Sequence, residues 1–410
     1  MKKSLRITST LKLGNATRRQ LLSTGAAALA LHLAGWGQSR PSKESGLPGE
    51  AGLPQIPYQK SGFIKGIRWL SEPIHNKNVG DVWSCTWGDD NNLYSVADDT
   101  NGTGDVGWNL SIYKIEGQPP NPVVTRVNEM KEYDKAGAGH WWKGAGLASI
   151  DGVLYLGIYS QSNPRNGSAT AISFNADHSS IIMSTDHGKT WTPRATVESP
   201  MFPGKQFPTP FFVQYGKDYS GAMDDYVYLI SNDGGWNNWN RMELARVLRK
   251  RIGDLNRSDW EFFTGVNKQN APLWDRDVRH ATAIFEHKGY TSMTGMQYVP
   301  AIKRFVLGQW AYVAMHGGGD QTQTSSAAPP WPRDYKYDQT MLLLYEASKP
   351  WGPWRLFHAQ PKWGPAFYNP NFPSKWFENG GKRMWIVEGG NYQGPPGGYN
   401  FTVQQLALIL

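Results

Sequence analysis

One unit of sequence recurs along this chain, and that recurrence limits the fold more than any other feature. The unit is an extended segment, a tight polar turn, and a strongly β-forming strand that ends in polar residues. Its first copy starts at Asp81 (DVWSCTW), turns over 88–92 and returns through LYSVADD to Asp99. The second starts at Trp142, turns at Asp151-Gly152 and returns as VLYLGIYSQ. The third starts at Phe207 and, after a longer turn reaching Asp225, returns as YVYLISND. The fourth runs from Tyr290 (YTSMTGMQYV) past Pro300 to RFVLGQW, and the fifth from Asn371 to RMWIVEGG. Copies begin about 60 to 85 residues apart, and outer-strand material such as NLSIYKI from Asn109 follows each. Few windows carry a helical period. Repeats of this size cover their apolar faces by stacking on their neighbours. The reading is therefore an all-β chain, a five-bladed β-propeller over 61–410. Because the fifth copy has a single strand after it, the segment 62–70 (GFIKGIRWL) is expected to complete the last blade and close the ring, which removes exposed sheet edges.

The segment ahead of this domain is of another kind. Residues 1–20 carry six Lys/Arg and no acid, and an apolar, small-residue run (LLSTGAAALALHL) follows. This is the form of an export signal, and the run is too short to span a bilayer. Arg18-Arg19 ahead of Gln20-Leu21-Leu22 resembles the twin-arginine signal, which implies a folded cargo delivered to the periplasm or outside the cell. Residues 1–40 are assigned to this signal and 41–60 to a flexible linker. No Cys stands there to take a lipid, so no stable membrane anchor is expected.

Charge excludes one class of partner. Residues 1–40 hold seven of the 42 Lys/Arg and none of the 34 Asp/Glu, so the rest of the chain is close to neutral. The one dense basic run, RVLRKR ending at Arg251, reads as a strand edge or turn, and nucleic acid is not an expected partner. The single cysteine, Cys85, rules out an internal disulfide and sits between Trp83 and Trp87 as a buried structural thiol. A monomer is expected.

A local signature adds to the repeat. Ser184, Asp186, Gly188, Thr190 and Trp191 fit S-x-D-x-G-x-T-W. In such a turn the Asp and Ser side chains tie down the backbone amides while the Trp packs into the sheet. The motif resembles the Asp box of sialidases and other exported carbohydrate-active propellers, which implies a structural role for Asp186. Over most of 75–390 the pattern resembles a group of secreted propellers, through runs such as DVWSCTWGDDNNLY from Asp81 and QYGKDYSGAMDDYVY from Gln214. Some relatives in that group are endo-D-arabinanases, and the resemblance implies paired catalytic aspartates in the first blade.

Strand polarity nominates site residues without reference to any family. In an antiparallel blade the start of the inner strand and the end of its neighbour meet at one mouth of the channel. That rule gathers Asp81, Asp98 and Asp99 from the first copy; His140, Lys143 and Gln161 from the second; Lys205, Gln206, Asn232 and Asp233 from the third. It adds Arg279, His280, Tyr290, Gln309 and Trp310 from the fourth, and Tyr368, Asn369 and Glu388 from the fifth. Two carboxylates, one protonated and one ionised, suffice for most glycoside hydrolysis. Asp81 and Asp99 form the expected pair, with Glu388, behind apolar Trp385-Ile386-Val387, as a third catalytic candidate. Trp236 and Trp239, in the Gly/Asn-rich run GGWNNWN, are expected to stack on sugar faces.

The expected function is that of an exported glycoside hydrolase acting on a polysaccharide or oligosaccharide. The alternatives are a uronate lyase, in which His140 or Tyr290 takes the C5 proton while Arg279 or His280 neutralises the carboxylate, and a non-catalytic carbohydrate-binding propeller. No cofactor is expected, and loop carboxylates leave room for a structural calcium ion.

Overall fold

The computed structural model describes residues 53–100, 110–133, 140–162, 176–312, 340–364, 367–389 and 400–410. Residues 1–40, expected to be an export signal, lie outside the described residues. Alternating Val, Ile, Tyr and Trp segments form strands as their period of two requires. Two strands, β1 (Gly66–Trp69) and β2 (Ile74–Val79), precede the first unit. That unit is β3 (Asp81–Trp87), β4 (Leu93–Asp98), β5 (Ser111–Glu116) and β6 (Val123–Asn128), paired antiparallel in chain order. The second is β7 (His140–Ile150), β8 (Val153–Ser162) and β9 (Ala176–Ser184).

The third contains β10 (Phe211–Gln214), β11 (Tyr226–Asn232), β12 (Trp239–Leu248), β13 (Glu261–Val266) and β14 (Pro272–Asp275), with β15 (Phe285–Thr291) also paired to β12. The fourth is β16 (Met296–Val299), β17 (Arg304–Tyr312), β18 (Thr340–Ala347) and β19 (Arg355–Gly364). A short parallel pairing of β10 with β16 joins the third and fourth into one sheet. The last unit is β20 (Tyr368–Asn371), β21 (Arg383–Gly389) and β22 (Asn400–Ile409). Gly66 to Trp69 pairs antiparallel with Ile409 to Leu406, so the N-terminal strand lies on the last unit.

The fourth copy departs from expectation. The segment expected as one inner strand from Tyr290 is divided. Tyr290 ends β15, which pairs with β12 of the third unit, and the inner strand begins only at Met296. Between them side-chain and loop bonds replace the ladder: the Ser292 amide donates to Gln309 Oε1 at 2.8 Å and the Met293 amide to the Trp236 carbonyl at 3.1 Å.

Strands of successive units touch. β3 packs on β7, β7 on β10, β17 on β20, and β20 on β3. Two glycines permit this approach. A Cβ on Gly157 would stand 2.2 Å from the Pro210 carbonyl oxygen, and one on Gly389 would stand 2.6 Å from the Val82 amide nitrogen. Between the first and second units lie Val96, Leu110, Trp142 and Leu156; between the last and first lie Trp83, Trp385, Val387 and Phe401.

The end of the expected linker is anchored. Ile56 is buried, the Tyr58 ring stacks on Phe285 with centroids 4.7 Å apart, and the Ser61 amide donates to the Leu356 carbonyl at 2.7 Å.

The Ser184–Trp191 turn is closed by its own side chains. Asp186 accepts from the Thr190 amide at 2.9 Å and from the Thr190 hydroxyl at 2.7 Å, while Ser184 Oγ accepts from the Gly188 amide at 2.8 Å. Trp191 packs against the cluster shared by the first two units. Asp186→Ala is expected to lower stability by about 1 kcal/mol, the low end for such bonds because solvent reaches the turn. Chemical denaturation with m unchanged checks this, and an unaltered midpoint contradicts it.

Candidate active site

Asp81 opens β3 and Asp98 closes β4, and the two are direct partners across the ladder. Equal counting about the turn would place Asp81 opposite Asp99. A register shift between Asp81 and Ser84, where Val82 and Trp83 take positive φ values of 70° and 43°, moves the partner by one residue. Asp99 follows in a left-handed conformation, φ 48°. From the second unit β7 inserts Lys143, whose ammonium forms an ion pair with Asp99 Oδ1. The Gly144 amide beside it donates to both Asp98 oxygens, at 2.9 and 3.1 Å. From the last unit the Tyr368 hydroxyl donates to Asp81 Oδ2 at 2.7 Å, and Asp81 Oδ1 has no partner among the described residues.

Burial separates the three carboxyls. Asp81 is 7 % exposed and Asp98 2 %, whereas the Asp99 side chain keeps 23 %. Loss of solvent, with the charges of Asp99 and Asp98 adding, pushes the Asp81 carboxyl well above the usual range; Lys143 and the Tyr368 hydroxyl only partly oppose this. Burial also drives Asp98 up to about 7, against the pull of Lys143 and the Gly144 amide. For Lys143, burial alone would lower the ammonium, but Asp99, Asp98 and Asp81 outweigh it and hold it above its ordinary value. The cluster thus sets Asp81, whose proton is held more tightly than usual, beside Asp99, which is ion-paired to Lys143, at the junction of three units.

Tyr159 was not nominated by the sequence. It lies opposite Lys143 in the β7–β8 ladder, and burial followed by the charges of Asp98, Asp81 and Asp99 holds its phenol well above its usual value. Equal counting from the Asp151-Gly152 turn would place Ser160 opposite Lys143; a register shift between Gly144 and Leu147 brings Tyr159 there instead. Gln161, on the same strand, is buried as well.

Other nominated residues are placed elsewhere. Lys143 was expected to bind substrate, but its side chain is 4 % exposed and its charge serves Asp99. Arg279 and His280 lie beyond β14, the edge strand of the third unit, where they pair with Asp277 and Asp275 and face solvent. Their own neighbouring aspartates hold them there. Tyr290 sits on β15 with its ring 4.7 Å from His287. Trp310 is fully buried and donates to the Met293 carbonyl. Trp239 is also buried, with the Lys205 ammonium 5.5 Å above its ring. Asn369 is buried and donates to the Val82 carbonyl. The His140 side chain lies outside the described residues.

Glu388 ends β21 as expected, but alternation puts it on the face of Met384 and Ile386, which packs toward the fourth unit, and not on the face of Val387 toward Asp81. It is fully buried and neither oxygen has a partner among the described residues. Burial alone pushes its carboxyl well above the usual range. Since the folded protein binds this proton more tightly than the unfolded chain, stability is unpenalised below about pH 4.3 and falls as pH rises toward the folded value, by about 1.4 kcal/mol per pH unit. Glu388→Gln should therefore flatten the stability–pH curve above pH 5. Parallel wild-type and variant curves in denaturant titrations would contradict a neutral buried acid.

Among the described residues one group could present three ligand atoms to a cation: Asp89, Asp90 and His187, near the β3–β4 turn. Its atoms are engaged with each other and with the turn. His187 Nε2 lies 2.8 Å from Asp89 Oδ1, while Asp90 accepts from Asn92 and from the Tyr94 hydroxyl.

The strands and the buried cluster together define an all-β protein with a group of carboxyls and a lysine buried between units. Residues 126–335 match the family described as a domain of unknown function, DUF4185, and the chain belongs to that family. No curated protein matches the sequence. Similar solved structures include an endo-arabinase from Bacteroides thetaiotaomicron (10 % identity, 83 % of this chain and 97 % of that one, TM-score 0.43). A GH43_1 enzyme from Xanthomonas citri complexed with xylotriose is another (11 % identity, 83 % and 91 %, TM-score 0.44). A third is a GH43 β-xylosidase/α-arabinofuranosidase from a compost microbial metagenome (11 % identity, 84 % and 95 %, TM-score 0.43). Likenesses this distant assign no chemistry.

Proposed function

We propose that this chain is an exported glycoside hydrolase of polysaccharides, built as a five-bladed propeller with β1 completing the last blade. The cyclic contacts between successive units support the ring. The observation that carries the chemistry is the unlike burial and partners of Asp81 and Asp99 in one cluster. Asp81, buried and protonated, supplies the proton to the departing glycosidic oxygen. Asp99, ion-paired and the most open of the three carboxyls, acts at the anomeric carbon as nucleophile or as base toward water. Lys143 holds the carboxylate, and Asp98 ties the first blade to Gly144 of the second. The first-blade aspartate pair also agrees with the resemblance to endo-D-arabinanases. Export rests on residues 1–40 and is read by fractionating cells for the mature protein.

The lyase reading loses its neutralising group. Arg279 and His280 are bound to Asp277 and Asp275 at an outer edge, and Lys143 is bound to Asp99. Incubation with a panel of plant, algal and mycobacterial glycans separates the readings. New reducing ends without ultraviolet absorbance support hydrolysis; both together mean elimination; binding without either means a carbohydrate-binding module.

A further inference from the structure

The Gly/Asn-rich run containing Trp236 is pinned inside the protein. Asn238 Nδ2 donates to the Gly289 and Tyr312 carbonyls at 3.1 and 3.2 Å, and its Oδ1 accepts from the Tyr312 amide at 3.2 Å. Asn232 receives the Gly235 amide at 3.0 Å, and the Trp236 carbonyl accepts from Met293. These bonds deliver the Trp236 ring into an aromatic group. Its centroid lies 5.5 Å from Trp310, 5.5 Å from Tyr312 and 5.3 Å from Tyr368, the last at 88°. Trp310 lies 5.2 Å from Tyr368 on another side. Tyr368 is thus held by edge and face contacts from two other units, and its hydroxyl is the group bound to Asp81 Oδ2.

We infer that Trp236, with Trp310 and Tyr312, is a positioning seat for Tyr368, which fixes the Asp81 carboxyl through Oδ2. Trp236 then acts on the acid through Tyr368 and is not a platform for sugar. The role rests on Asp81 being the proposed acid, but the coupling can be read without any substrate. The charged and titratable groups facing Asp81 are Asp98 and Asp99 from the first unit, Lys143 and Tyr159 from the second and Tyr368 from the last. None of them is altered in the Trp236 variants.

The test uses the full folded chain with 13C-labelled aspartate carboxyls, the Asp81 signal being the one missing in Asp81→Asn. Tyr368→Phe deletes a donor to the charged form, so the Asp81 midpoint should rise by about one pH unit or more. If Asp81 stays protonated over the whole stable range, the expected sign is instead a displaced carboxyl resonance. Trp236→Leu should move the signal the same way, Trp236→Phe less, and Tyr368→Phe/Trp236→Leu no further than Tyr368→Phe alone. If Trp236→Leu does not fold, Trp236→Phe alone decides. An Asp81 signal unmoved by the Trp236 change, or full additivity in the double variant, overturns the seat. So does a raised KM at constant kcat on a cleaved glycan, the mark of a lost sugar platform. The predicted titration in a protein that cleaves no glycan would keep the seat and remove the hydrolase reading.

Discussion

Asp81→Asn and Asp99→Asn are each expected to lower turnover about a thousandfold or more, the scale of losing a positioned proton donor or acceptor. The two should differ in their side effects. Asp81→Asn removes a carboxyl whose charged form burial already disfavours, so the fold should tolerate it and glycan affinity should persist. Asp99→Asn leaves the buried Lys143 ammonium with Asp98 as its nearest remaining carboxyl, and should also cost stability. Steady-state rates on the glycan found by the panel, with denaturation midpoints for each variant, check both. Retention of more than a tenth of the wild-type rate in either variant would remove that residue from the chemistry.

Lys143→Met should have the largest effect on stability, about 3 kcal/mol at neutral pH. Removing one member of a buried ion pair strands the other without compensation, and here the side chain is 4 % exposed while Asp99 and Asp98 face it. The raised Lys143 value means that its contribution is complete below its unfolded value near pH 10.4 and is lost as pH rises through the folded one. In the variant the deficit should shrink in acid, as the stranded carboxyls take up protons. Urea titrations across pH 5 to 8 report this directly. A deficit below about 1 kcal/mol, or one independent of pH, would mean that the ion pair is solvated and the cluster open.

Much of the architecture was legible because turns and alternating strands are local signals. The 88–92 and Asp151-Gly152 turns, and the strands they join, could be read from a few adjacent residues. The start of the fourth copy could not, because Ser292 and Met293 are bonded by Gln309 and Trp236, side chain and loop from distant sequence. Strand polarity brought Asp81, Asp98 and Asp99 together correctly in principle. The bulge at Val82 and Trp83, which decides which aspartate faces Asp81, has no sequence signal of its own. Glu388 was put at the right end of its strand, but which face of that strand looks toward Asp81 depends on how the blades stack. Trp236 was read as an exposed loop residue because Gly and Asn usually mean solvent. Here the asparagines are long-range pins, with Asn238 reaching Tyr312 74 residues away. Arg279 and His280 fell on the wrong side because a sequence-adjacent aspartate satisfied each of them.

The central claim is that one carboxyl gives a proton to the leaving oxygen while another acts at the anomeric carbon, which ends up bonded to an oxygen from water. Cleavage of the responsive glycan in 18O-labelled water, with products reduced at once to prevent anomeric exchange, tests it most directly. The account predicts one 18O at C1 of each newly formed end, abolished together with cleavage in Asp81→Asn. Cleavage that leaves the new ends unlabelled would mean that the other carbon–oxygen bond breaks, and would contradict hydrolysis at this site.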